Sequence, residues 1–209
     1  MATKSFTLAA LLFIIVITSI YSTCKKGGLG CANAIYSFKI SENLTPDKDS
    51  ILIGDTIFLK VNALTNLNDL QSGNLVDYSN VTNLGNVVTF LRFLSPDKVQ
   101  GAINNFKLIM LKGAKVNSVD PLSQQEVLFG EESGAYKLNL AIVAKDTGRF
   151  VITIGNSANV YRKNDNCTKA NFTISFDGVD QHFYLLHLWR PDLVLDEQGK
   201  TKVYYFKVF

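Results

Sequence analysis

Few residues of this chain could act in catalysis or bind a metal, and their spacing does not match that of a known catalytic or metal site. The two histidines, His182 and His187, are five residues apart, so a helix turns them to different faces, unlike the i, i+4 pair of a zinc helix. Glu131 and Glu132 are adjacent, whereas general-acid chemistry needs opposed carboxylates with separated pKa values. We therefore predict packing or solvent roles for the histidines and a solvated loop for the acids.

Metal and nucleophile motifs are also missing from the sequence. Asp47, Asp49 and Asp55 have carboxylates that calcium prefers, but not the spacing of a calcium loop. The three cysteines lack the Cys-x-x-Cys spacing of structural zinc. There is neither a G-x-S-x-G elbow nor a glycine-rich phosphate loop. The sequence therefore predicts no catalytic residue, no metal and no other cofactor, and favours a protein that is not an enzyme.

Charge argues against a nucleic-acid partner. The formal net charge is +3 over 209 residues, and lysines and arginines are scattered along the chain without an arginine-rich run. Nucleic-acid binding calls for a clustered basic face, so it is excluded from the predicted functions.

Composition and periodicity predict an all-β fold. The chain has 14 Phe and 8 Tyr, and such aromatic residues favour strands. Apolar residues alternate with polar ones in several runs, which is the period-two pattern of half-buried strands. The predicted inward residues are Tyr36, Phe38 and Ile40; Ile57, Leu59 and Val61; Phe150, Ile152 and Ile154; Phe172, Ile174 and Phe176; and Tyr204, Phe206 and Val208. About nine strands separated by turn signals predict a single sandwich or barrel.

The connections between these strands differ in character. Asp146-Thr147-Gly148 predicts a hairpin between strands at 135–144 and 149–154. Segment A (residues 62–86) and segment B (residues 113–133) are predicted as long irregular loops, the first with one short strand near Val76. Loops on a rigid sandwich carry recognition, so both segments are candidate contact surfaces. A short helix is predicted at 180–190, ending before Pro191.

Two short runs resemble immunoglobulin-like sandwich domains. Residues 54–59 read G-D-x-apolar-x-L, and residues 146–150 resemble D-x-G-x-Y, with Phe150 where that family has tyrosine. The tryptophan and the paired cysteines of true immunoglobulins are not at their spacings. The resemblance implies one immunoglobulin-like antiparallel β-sandwich.

The first 24 residues, MATKSFTLAALLFIIVITSIYSTC, are ordered like an export signal. One basic residue precedes an apolar run from Leu8 to Ile17 and a short polar end, as in a secretory leader. The run is shorter than the about 20 apolar residues that a spanning helix needs. We therefore predict an N-terminal signal helix and a domain that folds outside the cytoplasm.

The end of this leader resembles the lipobox of bacterial lipoproteins, in the relaxed, serine-rich form of some Gram-negative lineages. Tyr21-Ser22-Thr23 precedes Cys24, and Lys25-Lys26 follows it. The resemblance implies cleavage before Cys24, acylation of that cysteine, and attachment to membrane lipid at the outer membrane or the periplasmic face. The alternative is a leader that is cleaved conventionally or not at all, with Cys24 incidental.

If Cys24 carries lipid, Cys31 and Cys167 remain. In an exported chain such a pair most often forms a disulfide, which we predict here. The alternatives are two free thiols, or Cys31 in the tether.

The predicted organisation is a signal peptide at 1–23, a tether at 24–32 and a β-sandwich domain at 33–209. We predict a non-catalytic binding or structural module of the cell envelope, with an envelope protein or glycan as partner. The alternatives are a carbohydrate-binding module, using Trp189 with Tyr184 or Tyr161 as an aromatic platform, and an extracytoplasmic hydrolase. Anchoring of the short helix is the favoured role of Trp189.

Overall fold

The structure of the chain, a computed structural model, describes residues 36–156, 160–178 and 180–209, without the side chains of residues 165–167. The predicted signal helix, the tether and the boundary at residue 33 lie outside the described residues. Within the described ranges, no helix is long and apolar enough to cross a membrane.

Strands dominate the described residues, as the composition predicts. Nine of the described strands have five or more residues, in agreement with the expected number. They are β1 (Tyr36–Thr45), β3 (Thr56–Leu64), β7 (Gly85–Ser95), β9 (Phe106–Lys112), β11 (Gln124–Leu128), β13 (Ala135–Ala144), β14 (Gly148–Asn156), β16 (Asp165–Phe176) and β17 (Val203–Val208). The shorter strands are β2 (Ser50–Ile51), β4 (Asn66–Asn68), β5 (Leu75–Asp77), β6 (Val81–Thr82), β8 (Lys98–Gly101), β10 (Ala114–Val116), β12 (Gly130–Glu132) and β15 (Tyr161–Arg162). The helices are α1 (Phe183–Trp189), α2 (Glu197–Lys200) and a 3-10 helix (Ile103–Asn105).

Two sheets pack face to face and confirm the predicted β-sandwich. Sheet I has eight strands in the order β12-β13-β3-β1-β16-β15-β6, with β9 beside β13. Sheet II has seven strands in the order β10-β11-β7-β14-β17-β2, with β8 beside β7. The described pairs are antiparallel except β1 with β16 and β17 with β2. β4 and β5 form a separate small hairpin.

Alternation along the strands decides which side chains fill the space between the sheets. The predicted inward residues are buried on all five strands, with Tyr36 half-buried at the margin of the core. Phe106 joins them, with its ring centre 4.9 Å from that of Phe150. The core is thus one aromatic and aliphatic layer, as the pattern predicts.

Helix α1 covers the outer face of sheet II. Its Leu185, Leu186 and Trp189 are buried against Val151 and Tyr205, which point away from the core. Because β17 is covered on both faces, its first four residues, VYYF, are apolar or aromatic without alternation. The predicted helix at 180–190 is confirmed, with observed bounds of 183–189.

The predicted hairpin at Asp146–Gly148 is wrong. β13 pairs with β3, β9 and β12 in sheet I, whereas β14 pairs with β7 and β17 in sheet II. The turn therefore carries the chain from one sheet to the other. The turn residues do not distinguish a hairpin within one sheet from a connection between two sheets, since both need a tight reversal. The pairing partners of the two strands determine which of the two forms.

Segments A and B are not long loops, which corrects the second local prediction. Segment A contains the end of β3, then β4, β5, β6 and the start of β7, and β5 confirms the short strand near Val76. Segment B contains β10, β11 and β12, and β11 pairs with β7 along its whole length. Their polar sequences conceal strands because edge strands bury few side chains and need little alternation.

Candidate functional site

Segments A and B, the predicted contact surfaces, are joined at one end of the sandwich. The Asn80 N–H donates to the Glu131 carboxylate at 2.8 Å, and the Phe129 N–H donates to the Leu84 carbonyl at 2.8 Å. These bonds link residues about fifty positions apart in the sequence. The two segments are therefore hydrogen-bonded to each other, and together they are here called the A/B surface.

Exposed apolar side chains are frequent on the A/B surface. Segment A exposes Leu64, Leu70 and Leu75, and segment B exposes Val116, Val119 and Leu122. Exposed apolar residues also occur elsewhere, among them Leu52, Leu188 and Val194, and single ones are normal. Because the sequence predicts contact surfaces in segments A and B, their exposed apolar residues make the A/B surface a candidate for partner contact.

Asp69 fixes the β4–β5 hairpin of segment A to the sandwich. Its carboxylate accepts hydrogen bonds from the Ser37 N–H at 2.9 Å and from the Ser72 hydroxyl and N–H at 2.6 and 3.0 Å. These bonds, the Ser72 hydroxyl first, lower the pKa of Asp69 to about 2. The carboxylate stays ionised at neutral pH and holds Leu70 and Leu75 in place.

A groove of about 300 Å³ lies beside the A/B surface. It is lined by Leu111, Lys112, Gly113, Gly130, Glu131, Glu132 and Lys137. Glu132 accepts a hydrogen bond from Lys112 at 2.5 Å and lies 3.3 Å from the Lys137 ammonium. The hydrogen bonds to these lysines lower the pKa of Glu132. The groove thus presents an ion network, and the two acids lie on β12, paired with β13, rather than in the predicted solvated loop.

The two histidines are separated, as their spacing predicts. His182 precedes α1 and is 6% exposed. Its Nδ1 lies 3.0 Å from the Tyr205 carbonyl and its Nε2 lies 3.7 Å from the Asp47 carboxylate, so it ties the Asp47 loop to the helix. His187 is exposed and lines an apolar groove of about 290 Å³ between α1 and residues 193–195.

The aspartates considered as calcium ligands do not converge. Asp49 accepts hydrogen bonds from the Tyr184 and Ser50 hydroxyls, which lower its pKa in that order of size. Asp55 instead accepts from the Leu52 N–H within its own turn. In the described part of the chain, no group of three or more His, Cys, Asp or Glu residues could hold a metal ion.

The aromatic residues considered for sugar stacking do not form a platform, because Trp189 is buried, although Tyr184 on the same helix is exposed. Trp189 is 3% exposed, and its ring centre lies 5.3 Å from that of Phe93 and 6.2 Å from that of Tyr205. It anchors α1 to sheet II, which was the favoured interpretation. Tyr161 belongs to β15 in sheet I, so it cannot extend a platform from Trp189.

The most unusual titratable group is Glu42, which the sequence interpretation missed. Glu42 and Asn86 are fully buried between the sheets, and Asn86 Nδ2 donates to Glu42 Oε1 at 2.6 Å. Burial raises the pKa of Glu42 to about 8, against a smaller lowering by the Asn86 hydrogen bond. The signal was available, because Glu42 continues the inward phase of Phe38 and Ile40. An acid at the end of a strand is easily assigned to the following turn instead.

The predicted modification sites fall elsewhere. Cys24 and Cys31 lie outside the described residues, and the side chain of Cys167 is not described. Lipidation at Cys24 and the Cys31–Cys167 disulfide therefore stay predictions.

Comparisons with known proteins give fold-level similarity only. No protein-family model matches the sequence, and no curated protein matches it. Among solved structures, the reeler domain of human F-spondin aligns over 65% of this chain and 87% of its own at 13% identity, with a TM-score of 0.33. A conjugative transposon lipoprotein from Bacteroides eggerthii aligns over 57% and 84% at 12% identity (TM-score 0.25), and a non-cellulosomal cohesin from the archaeon Archaeoglobus fulgidus over 71% and 97% at 11% identity (TM-score 0.30). Similarity at this level identifies neither a family nor a function.

Proposed function

We propose that this chain is a non-catalytic binding or structural module of a Gram-negative cell envelope. In this proposal a lipid on Cys24 attaches the sandwich to the outer membrane or to the periplasmic face of the envelope. The A/B surface contacts a partner in that compartment, an envelope protein or a glycan. The observation that carries the binding role is that two segments hydrogen-bonded to each other both expose apolar side chains.

The proposed localisation to the cell envelope rests on the order of residues in the first 24 positions. A basic start, an apolar run too short to span a bilayer and a cysteine followed by two lysines are typical of an exported, acylated chain. One acyl chain gives marginal attachment, whereas two or three make it stable. The proposed disulfide between Cys31 and Cys167 depends on the same localisation, since disulfides persist in oxidising compartments.

Acyl labelling tests the anchor. Cells grown with labelled palmitate are expected to incorporate label into the wild-type chain and not into Cys24→Ser, because that thiol is the proposed acceptor. Cys31→Ser is the matched control and should keep the label. Equal labelling of the wild type and Cys24→Ser would contradict the anchor.

Site-specific photo-crosslinking tests the contact surface. A photoreactive amino acid at Leu75 or at Val119, both strongly exposed, is expected to give discrete adducts in intact cells, because both positions lie on the A/B surface. Val194 is 86% exposed on the side of sheet II covered by α1, and it serves as the control. Absence of adducts at Leu75 and Val119, or the same adducts at all three positions, would count against this surface.

A further inference from the structure

The outer face of sheet I gathers lysines from five neighbouring strands. Counted across the sheet, they are Lys169 on β16, Lys39 on β1, Lys60 on β3, Lys137 on β13, and Lys107 and Lys112 on β9. Alternation places all but Lys112 outward, because strand neighbours such as Phe38, Ile40 and Leu59 face the core. Lys112 is exposed at the end of β9, where the register with β13 shifts. Lysines that are scattered in the sequence therefore form one basic face.

Carboxylates are few on these strands, although Asp177, directly after β16, accepts a hydrogen bond from the outward Ser41 hydroxyl at 3.0 Å. Among the described side chains of these five strands, the one carboxylate belongs to Glu42, and it points into the core. Glu132 on the adjacent β12 is paired with Lys112 and Lys137 at the border of the face. The exposed acids Asp192 and Glu197 instead follow α1 on the side of sheet II. A net charge of only +3 thus conceals a strongly asymmetric distribution.

The rest of the face is mixed in character. Its other outward positions include Asn43, Asn62 and Asn171, which are exposed, and the exposed apolar residues Ile109 and Leu111 on β9. Lys60 lies over the Phe58 ring, with its ammonium 5.1 Å from the ring centre, so the aromatic ring is partly covered. Five strands span about 20 Å at the usual strand spacing. This is a broad planar array of ammonium groups rather than a pocket for a small anion.

We propose that the outer face of sheet I binds the anionic headgroups of a membrane, so that the domain lies with this face against the lipid surface. Lysines near an anionic bilayer each strengthen attachment about fivefold at low salt. The choice of a membrane over other polyanions rests on the proposed localisation of the chain to the cell envelope.

Lysine acetylation on vesicles tests the proposal with the full chain. The protein is reconstituted either with vesicles of phosphatidylethanolamine and phosphatidylglycerol or with vesicles of phosphatidylcholine, and the acetylation rate of each lysine is read by mass spectrometry. Lys39, Lys107 and Lys169 are expected to react about tenfold more slowly on the anionic vesicles. This protection should disappear at high salt, because added ions screen the attraction. The exposed Lys48 and Lys98, outside this face, should react equally on both.

Two double variants distinguish the effect of the lysines on this face from the effect of lowering the net charge of the protein. Lys39→Gln with Lys169→Gln removes two charges from the face and is expected to abolish the protection of Lys107 on anionic vesicles. Lys48→Gln with Lys98→Gln removes two charges elsewhere and should leave it unchanged. All four side chains are exposed, so the fold should tolerate both changes.

The outcomes distinguish the face from the anchor. Equal acetylation of Lys39, Lys107 and Lys169 on both vesicle types overturns the proposal, and it is the result expected if an acidic protein or a nucleic acid occupies the face. Flotation of the chain with anionic but not with phosphatidylcholine vesicles supports the basic face while contradicting the lipid anchor. Flotation with neither type overturns both.

Discussion

Replacing Glu42 with glutamine is expected to make the protein more stable at pH 8 and to remove most of the decline in its stability above pH 5. Glu42 is fully buried, and burial raises its pKa from 4.5 to about 8 in the folded state. A glutamine has nearly the same shape, keeps an oxygen that accepts from Asn86 Nδ2, and carries no charge at any pH. The cost of burying a carboxylate therefore disappears.

The direction follows from proton linkage. Between pH 4.5 and about 8 the unfolded chain has lost the Glu42 proton while the folded chain retains it, so rising pH favours unfolding. This group alone lowers the free energy of unfolding by about 1.4 kcal/mol per pH unit in that window, or on the order of 5 kcal/mol in total. Below pH 4.5 both states hold the proton, and wild type and Glu42→Gln should then differ little.

Urea unfolding at several pH values measures this effect. Glu132→Gln is the matched control, because it makes the same chemical change at an exposed carboxylate whose pKa is lowered by Lys112 and Lys137. The depressed pKa of Glu132 contributes stability above pH 4.5 that is lost as the pH falls, so the control should show a small effect of opposite sign. A Glu42→Gln protein with the same alkaline decline as the wild type would contradict the assignment.

Gly85→Ala is expected to destabilise the fold by about 3 kcal/mol through overpacking between two strands. A Cβ at Gly85 would lie 1.9 Å from the Val127 carbonyl oxygen and 2.8 Å from the Leu128 Cα. Both atoms belong to the backbone of β11, which pairs with β7 at this position. Neither can move without breaking the pairing that joins segment B to sheet II. The midpoint of urea unfolding, at unchanged m, reports the loss.

Gly155→Ala is the control for this change. Gly155 also lies in a central strand, but the nearest atom to an added Cβ is 3.8 Å away, at the Val87 carbonyl. We expect a stability change of less than about 1 kcal/mol there. Similar losses of stability in the two variants would show that the contact between the added Cβ and the β11 backbone is not the cause of the destabilisation at Gly85.

Much of the fold could be predicted because it depends on local periodicity. Phe150, Ile152 and Ile154 alternate with residues of the opposite face, and their burial follows from strand geometry. Trp189 and Pro191 likewise fix a helix and its end. The hairpin at Asp146–Gly148 was wrong for the complementary reason: a turn sequence specifies that the chain reverses, but not which strands it then pairs with.

The candidate site was predictable only in part. The sequence indicated that segments A and B carry contact surfaces, but not that Asn80 and Glu131 join them. Segment B appeared irregular because a strand such as β11, beside the edge of a sheet, buries few side chains. Glu42 was missed because one acid at the end of an alternating run has no local signature, and its pKa depends on which residues cover it.

The sequence by itself determined the strand-rich class, the inward faces and the export-like order of the first residues, since each depends on neighbours within a few positions. The tertiary structure decided which strands share a sheet, that Glu42 meets Asn86 across the core, and that scattered lysines form one face. These depend on pairing between residues far apart in the chain. Pairing is set by how two whole sheets bury their apolar faces against each other, and no short stretch of sequence contains that information.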